Sequence, residues 1–332
     1  MKVKYYTKIA ISTCLITVLI LTVSLISACQ GEKVTKIGIS QIVTHPALDA
    51  TRQGIIDALA DNGYIDGETV AIDYQNGEGD MSVVDTISAK FVSDKVDLII
   101  TIATPNTLSA ISAVKGTDIP VIFSAVTDPV GSGMVSDWES HPDENVTGVS
   151  DMVAVENDIE LITQILPDIK TLGTLYNDGE LNSVFLVEEL KKACEPLGIQ
   201  VVERPVATSA DVFTSAQSLV GQVDAIWIGT DNTVVSGLEA LIGICEENDI
   251  PLFPSDTESV ERGGIACYGF DYYDIGYQTG EIVVRILKGA KASDIPIEKG
   301  KVISLSINTA AAEKMGVTIP QSLIDSAEKV FE

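Results

Sequence analysis

Basic side chains are scarce: 21 lysines and arginines stand against 48 aspartates and glutamates over 332 residues, a formal net charge of −27. A nucleic-acid binder needs a basic footprint to replace phosphate counterions, so that class of partner is excluded. Histidine is scarcer still, with only His45 and His141, and leaves little material for imidazole chemistry. Five cysteines at scattered positions give neither paired metal spacing nor a disulfide framework. Gly131-Ser132-Gly133 lacks the third glycine and the strand–turn–helix setting of a dinucleotide fingerprint. No Gly-x-Ser-x-Gly elbow, P-loop or Cys/His metal set occurs. These absences predict no catalytic residue, no metal and no cofactor. What the chain does have is length for two ordinary domains and a 45% hydrophobic content that supplies two cores.

The first thirty residues stand apart. Lys2, Lys4 and Lys8 precede a charge-free apolar run from Ile9 to Ala28, long enough to enter a bilayer. It ends Leu25-Ile26-Ser27-Ala28-Cys29, which resembles the lipobox of bacterial lipoproteins. The resemblance implies a signal peptide over residues 1–28, cleavage before Cys29, a lipid on its thiol and a polar tether over 29–35. An uncleaved signal anchor is the alternative. The remaining thiols, Cys194, Cys245 and Cys267, fall in helix-like and strand-like segments and are expected to be buried and structural.

From Lys36 short β-rich runs alternate with amphipathic helical windows, the pattern of parallel α/β layers. The order then repeats. Val96-Asp97-Leu98-Ile99-Ile100 faces Val223-Asp224-Ala225-Ile226-Trp227, and Asp118-Ile119-Pro120 faces Asp249-Ile250-Pro251. Two similar Rossmann-like lobes with parallel sheets are the simplest reading, chance likeness between α/β segments the bland one. The lobes are expected over 36–150 plus about 274–300, and over 151–273 plus about 301–332. β-prone stretches at Asn145–Met152, Ala266–Tyr273 and Val302–Ile307 are the expected crossings of a three-segment hinge, and Gln321–Phe331 the closing helical segment. Polar loops beyond the carboxyl ends of parallel strands are where ligands bind, and two facing sets of them make a cleft that a hinge can close.

The order of several short motifs is more specific. Ser40 to Asp49 follows the first strand; Ala125-Val126-Thr127-Asp128-Pro129 and Asn145 to Asp151 come later; Tyr176-Asn177, Asn182-Ser183, Thr230-Asp231-Asn232 and Tyr268 to Tyr272 complete the second half. Together they resemble the tryptophan-type substrate-binding lipoproteins of ABC importers, over about Lys36 to Ile319. The resemblance implies a periplasmic-binding-protein fold, a small-molecule ligand that is an amino acid and often aromatic, and a partner permease with its ATPase. It implies a lipid-anchored monomer on the extracytoplasmic face of the cell membrane. A lipid-anchored sensor, or a binding protein for a sugar or nucleoside, remains the alternative.

A buried zwitterion needs donors for its carboxylate and acceptors for its ammonium. Helix starts at Thr104 and at Asn182-Ser183 offer backbone donors, and Ser124, Thr127 and Asp128 end another strand. Thr104, Thr127 and Ser183 could equally be caps. Asn177, Asp231, Asn232 and Asp256 end strands of the second half, with Asp256 and Asp271 the better ammonium partners. Gln41 and His45 precede the first helix and could wall the site. Tyr268 and Tyr272 could stack on a ring, whereas Trp227 reads as core.

Overall fold

The computed structural model describes residues 34–139, 144–152 and 154–332; the lipobox with Cys29, and His141, lie outside the described residues. The first half runs β1 (Thr35–Gln41), α1 (Pro46–Asp61), β2 (Val70–Asn76), α2 (Met81–Ser93), β3 (Leu98–Ile102), α3 (Thr104–Ala113), β4 (Val121–Ser124) and β5 (Val146–Ser150). These strands stack in the order β2-β1-β3-β4-β5, with β11 (Glu298–Lys299) added beyond β5. β3, Leu98-Ile-Ile-Thr-Ile102, is buried at every position because it lies centrally with apolar cover on both faces. One core lies against each face: Ile37, Ile39, Ile55 and Ile282 on one, Phe91, Ile99 and Phe123 on the other.

The second half repeats the arrangement with α4 (Val155–Ile165), β6 (Thr171–Tyr176), α5 (Leu181–Cys194), β7 (Gln200–Pro205), α6 (Val212–Leu219), β8 (Ala225–Ile228), α7 (Asn232–Ser236), α8 (Leu238–Glu247), β9 (Leu252–Pro254), α9 (Thr257–Arg262) and β10 (Ala266–Gly269). Its parallel sheet is ordered β7-β6-β8-β9, which is the β2-β1-β3-β4 order again. The internal repeat read from the sequence is thus a repeat of topology. Trp227 is wholly buried, its indole N–H donating to Asp158 Oδ2 at 3.1 Å. Cys194, Cys245 and Cys267 are buried free thiols.

The chain then returns. α10 (Tyr272–Leu287) packs beside α1 so closely that a Cβ on Gly54 would collide with the Tyr273 carbonyl, and one on Gly276 with the Thr51 carbonyl. After β11 come β12 (Ser304–Asn308), α11 (Thr309–Lys314), α12 (Gln321–Ser326) and β13 (Lys329–Phe331). β10, β12 and β13 form a third sheet in which β10 and β12 are antiparallel. It shares a single core with the second sheet, from Leu172, Trp227 and Phe253 to Leu305, Ile307 and Leu323.

Two expectations need correcting here. The closing helical segment ends at Ser326, and Lys329-Val330-Phe331 instead pairs with β12, whose edge groups would otherwise lack partners. Within two of the expected crossings, Ala266–Gly269 and Ser304–Ile307 are strands bonded to one another. The described segments that pass between sheets include 151–152, 270–271 and 300–303. Among the described residues no helix is long and apolar enough to cross a membrane.

Candidate functional site

The carboxyl ends of the strands in both halves converge on one narrow cavity with a free volume of about 20 Å³. From the first half come His45, Ala47 and Leu48 at the start of α1, Thr104 at the start of α3, Ala125 and Thr127 after β4, and Asp151 after β5. The second half supplies Asn182 at the start of α5, Thr230, Asp231, Asn232 and Val235 after β8, and Asp256 after β9; Tyr272 heads α10. Thr127 Oγ1 stands 3.5 Å from Thr230 Oγ1, so the two halves touch across the cavity. Two non-glycine residues at the strand ends hold left-handed φ, Ala103 at 81° and Ala125 at 54°. Such backbone strain persists where the surroundings over-determine it, as at ligand sites.

The carboxylates divide by how their oxygens are used. Asp231 caps α7 by accepting Val234 N–H at 2.7 Å and also accepts Asn177 N–H at 2.6 Å. Asp256 caps α9 by accepting Ser259 N–H at 2.8 Å, but its Oδ2 is buried with no partner. Asp151 accepts Tyr272 O–H at 2.7 Å and Thr127 O–H at 3.2 Å. Burial raises the carboxyl pKa of both Asp151 and Asp256, and the charge of Asp256 adds to the rise at Asp151. Glu180, behind Asn182, accepts Thr233 O–H at 2.8 Å and the Asn232 amide; burial and the Asp231 charge push it up to about 7.

Asn182 donates through Nδ2 to the Thr230 carbonyl at 3.0 Å, which orients its unpartnered, buried Oδ1. His45, 7% exposed, has no well-formed hydrogen bond at either ring nitrogen. Its burial lowers the imidazole pKa to about 4, so the ring is neutral. Both His45 ring nitrogens, Asn182 Oδ1 and Asp256 Oδ2 are thus buried polar atoms of cavity-lining residues without a well-formed partner, among others elsewhere in the described residues such as Thr174 Oγ1 and Arg52 Nε.

Of the residues singled out in the sequence, His45, Thr104, Thr127, Asn182, Asp231, Asn232, Asp256 and Tyr272 line the cavity. The others are placed elsewhere. Gln41 donates to Val43 O and Asp49 Oδ1, each at 2.9 Å, and Ser124 bonds Thr279 at 2.7 Å. Asp128 accepts Gly131 N–H at 2.8 Å in its own turn. Asn177 bonds Thr233 at 2.8 Å, and Ser183 donates to Asp231. Tyr268 packs on the second core. Asp271, the alternative ammonium partner, pairs with Lys329 at 2.7 Å and caps α10 through Tyr273 N–H at 2.9 Å, outside the cavity lining.

Asp151, Thr230 and the small residues Ala125 and Val235 line the cavity without having been singled out. Asp151 directly follows β5 and Thr230 stands two residues after β8, which was their available signal. Among the described residues no group of His, Cys, Asp and Glu could hold a metal ion.

Residues 36–331 match the family described as ABC transporter substrate binding protein. The chain is 41% identical over 268 residues to the tyrosine-binding protein of Clostridioides difficile (strain R20291), covering 81% of this chain and 77% of that one. It is similar to a crystal structure titled as an ABC domain in complex with L-Trp from Streptococcus pneumonia, at 39% identity and a TM-score of 0.85, covering 90% and 100% of the two chains. A ligand-free, open structure of a substrate binding protein with adhesive properties from Clostridium difficile matches at 40% identity but a TM-score of 0.67, covering 90% and 99%.

Proposed function

The chain belongs to the ABC transporter substrate-binding protein family, and from that premise we propose that it captures a free aromatic amino acid between its two lobes and delivers it, closed, to an ABC importer. The observation that carries the ligand class is Asp256 Oδ2, a wholly buried carboxylate oxygen that the protein leaves without a donor at the cavity. An ammonium supplies that donor, and a charge-assisted bond there offsets the desolvation that raises the Asp256 pKa. Asn182 Oδ1 offers the ammonium a second acceptor. At the start of α3 the amides of Thr104 and Asn106 have no helical partner, Pro105 between them carrying no N–H, and these two donors suit the carboxylate. Ala47, Leu48, Ala125, Val235 and the Tyr272 ring supply apolar wall for a side chain. The relatives named for tyrosine and crystallised with L-Trp support this assignment.

Delivery rests on hinge closure. At nearly equal identity, the chain superposes better on the L-Trp complex than on the open, ligand-free structure, which supports closure by rotation of one lobe against the other. In this reading one lobe comprises 36–150 with α10 and β11, and the other 151–271 with 300–332. The protein works as a monomer outside the cytoplasm, tethered by lipid at Cys29, with a permease and its ATPase as partners. Replacing Cys29 with serine should release the protein from membranes on fractionation, and unchanged retention argues for a signal anchor.

The test of the ligand is a melting-shift screen of amino acids, nucleosides and sugars on purified protein. Its amino acid should stabilise the fold by about 2.7 kcal/mol at a hundredfold excess over Kd. A shift with sugars alone overturns the assignment.

A further inference from the structure

His45 is the cavity residue that the zwitterion leaves unexplained. Asp256 Oδ2 and Asn182 Oδ1 are acceptors only, which suits an ammonium. His45 differs: a neutral imidazole carries one N–H and one lone pair, and both ring nitrogens are buried without a well-formed bond. Asn232 is the polar side chain that interacts with the ring, and Arg262 and Asp49 are the charges acting on it. His45 stands at the entry to α1, immediately before Pro46, and lines the cavity together with Ala47 and Leu48, part of its apolar wall. Those neighbours suit the side chain of an amino acid better than its charged end.

We propose that His45 is a specificity-determining residue that reads the ring edge of the ligand, its free nitrogen lone pair accepting the phenolic O–H of tyrosine or the indole N–H of tryptophan. The inference rests on the amino-acid reading above and sharpens it to aromatic amino acids that carry a ring donor. Phenylalanine has the ring and the zwitterion but no donor. Binding it shuts the imidazole away from water with nothing to accept from, and sites built to bond a substrate O–H discriminate strongly against analogues that lack it. The low imidazole pKa, about 4, keeps the lone pair available at neutral pH.

The test is calorimetric titration of the purified protein with tyrosine, tryptophan and phenylalanine. The wild type should bind tyrosine at least about a hundredfold more tightly than phenylalanine. His45→Leu should bring that ratio within about tenfold, mainly by weakening tyrosine, while His45→Gln, which keeps an acceptor, should retain a preference. His45→Ala replaces the leucine variant if that one does not fold. Wild-type affinity for phenylalanine within tenfold of tyrosine overturns the proposal, as does an unchanged ratio in the leucine or alanine variant. Failure of all three amino acids to bind sinks the ligand reading itself, and this inference with it, so the two failures are distinguishable.

Discussion

Asp231 and Asp256 occupy equivalent turns of the second lobe and do different work. Each follows a strand of the same sheet, β8 or β9, and each caps the short helix that comes next, through Val234 N–H or Ser259 N–H. The second oxygen separates them. At Asp231 it accepts the amide of Asn177, delivered by the loop after β6, the strand adjacent to β8. β8 lies beside β9 as β6 lies beside β8, yet the loop after β8 delivers no amide to Asp256, whose Oδ2 stays without a partner at the cavity. A helix cap is therefore compatible with either role, and the remaining lone pairs decide which one the residue plays.

Breaking the comparison at its functional end should give the largest effect. Asp256→Asn keeps an oxygen to cap α9 but removes the charge that the proposed ammonium would meet, and should weaken amino-acid binding by about 2–5 kcal/mol in calorimetry while leaving the melting temperature nearly unchanged. Unaltered affinity would place the ammonium elsewhere, with Asp151 next in line. Asp231→Ala is the converse experiment. It strips charge-assisted bonds from two backbone amides and should cost about 2–4 kcal/mol of folding stability in a denaturant titration. If ligand affinity fell while stability held, the roles of the two aspartates would be reversed.

Much of this was legible before any coordinates. Polar residues just past strand ends, such as Thr104, Asn182 and Asp256, follow from the parallel α/β pattern alone, and so does the repeated strand order. Other features depend on partners distant in sequence. Asp271 ends a strand as Asp256 does, yet Lys329, 58 residues away, claims its free oxygen. Asp151 enters the cavity because the Tyr272 hydroxyl, 121 residues on, fixes its carboxylate there. The β13 strand is invisible locally, since Lys329-Val330-Phe331 becomes a strand only beside the open edge of β12. Loop composition marks where polar groups gather; three-dimensional pairing decides which atoms are left over.

The same two turns should also be separable by pH. Glu180 is raised to about 7 by burial and then by Asp231; Glu258 is raised to about 8 by burial and then by Asp256; Asp158 reaches about 6 by burial. Folded pKa values above the unfolded ones mean that the native state holds protons more tightly. The stability they contribute is complete below the unfolded carboxylate pKa and is lost as pH rises through about 6–8. Melting temperature should therefore climb as pH falls from 8.5 to 6.5, by about 2–4 °C for each kcal/mol regained. His45 acts in the opposite sense: its folded pKa of about 4 makes its contribution fade only as pH drops below the ordinary value of 6.5, outside that window. Asp231→Asn should flatten the part due to Glu180, and Asp256→Asn the part due to Glu258. A melting temperature that falls on acidification across this window would show these carboxyls are not held protonated.

Thr104 gives the smallest and sharpest test, because it stands in the other lobe and carries no charge. It opens α3 directly after the strained Ala103 and is 2% exposed. If the ligand carboxylate is held chiefly by the first-turn amides of α3, those donors belong to the backbone and survive Thr104→Ala. Only the hydroxyl is lost, and the expected cost in affinity is about 1 kcal/mol, the net worth of one hydrogen bond. Thr104→Val, which keeps the volume and β-branching, should cost a similar amount, since shape is preserved and only the donor disappears. A loss as large as that of Asp256→Asn would mean the hydroxyl, not the helix start, is the carboxylate's main support. No loss in either variant would mean that the hydroxyl is not a donor to the carboxylate, which would then rest on backbone amides alone, at the start of α3 or at the start of α5 in the opposite lobe.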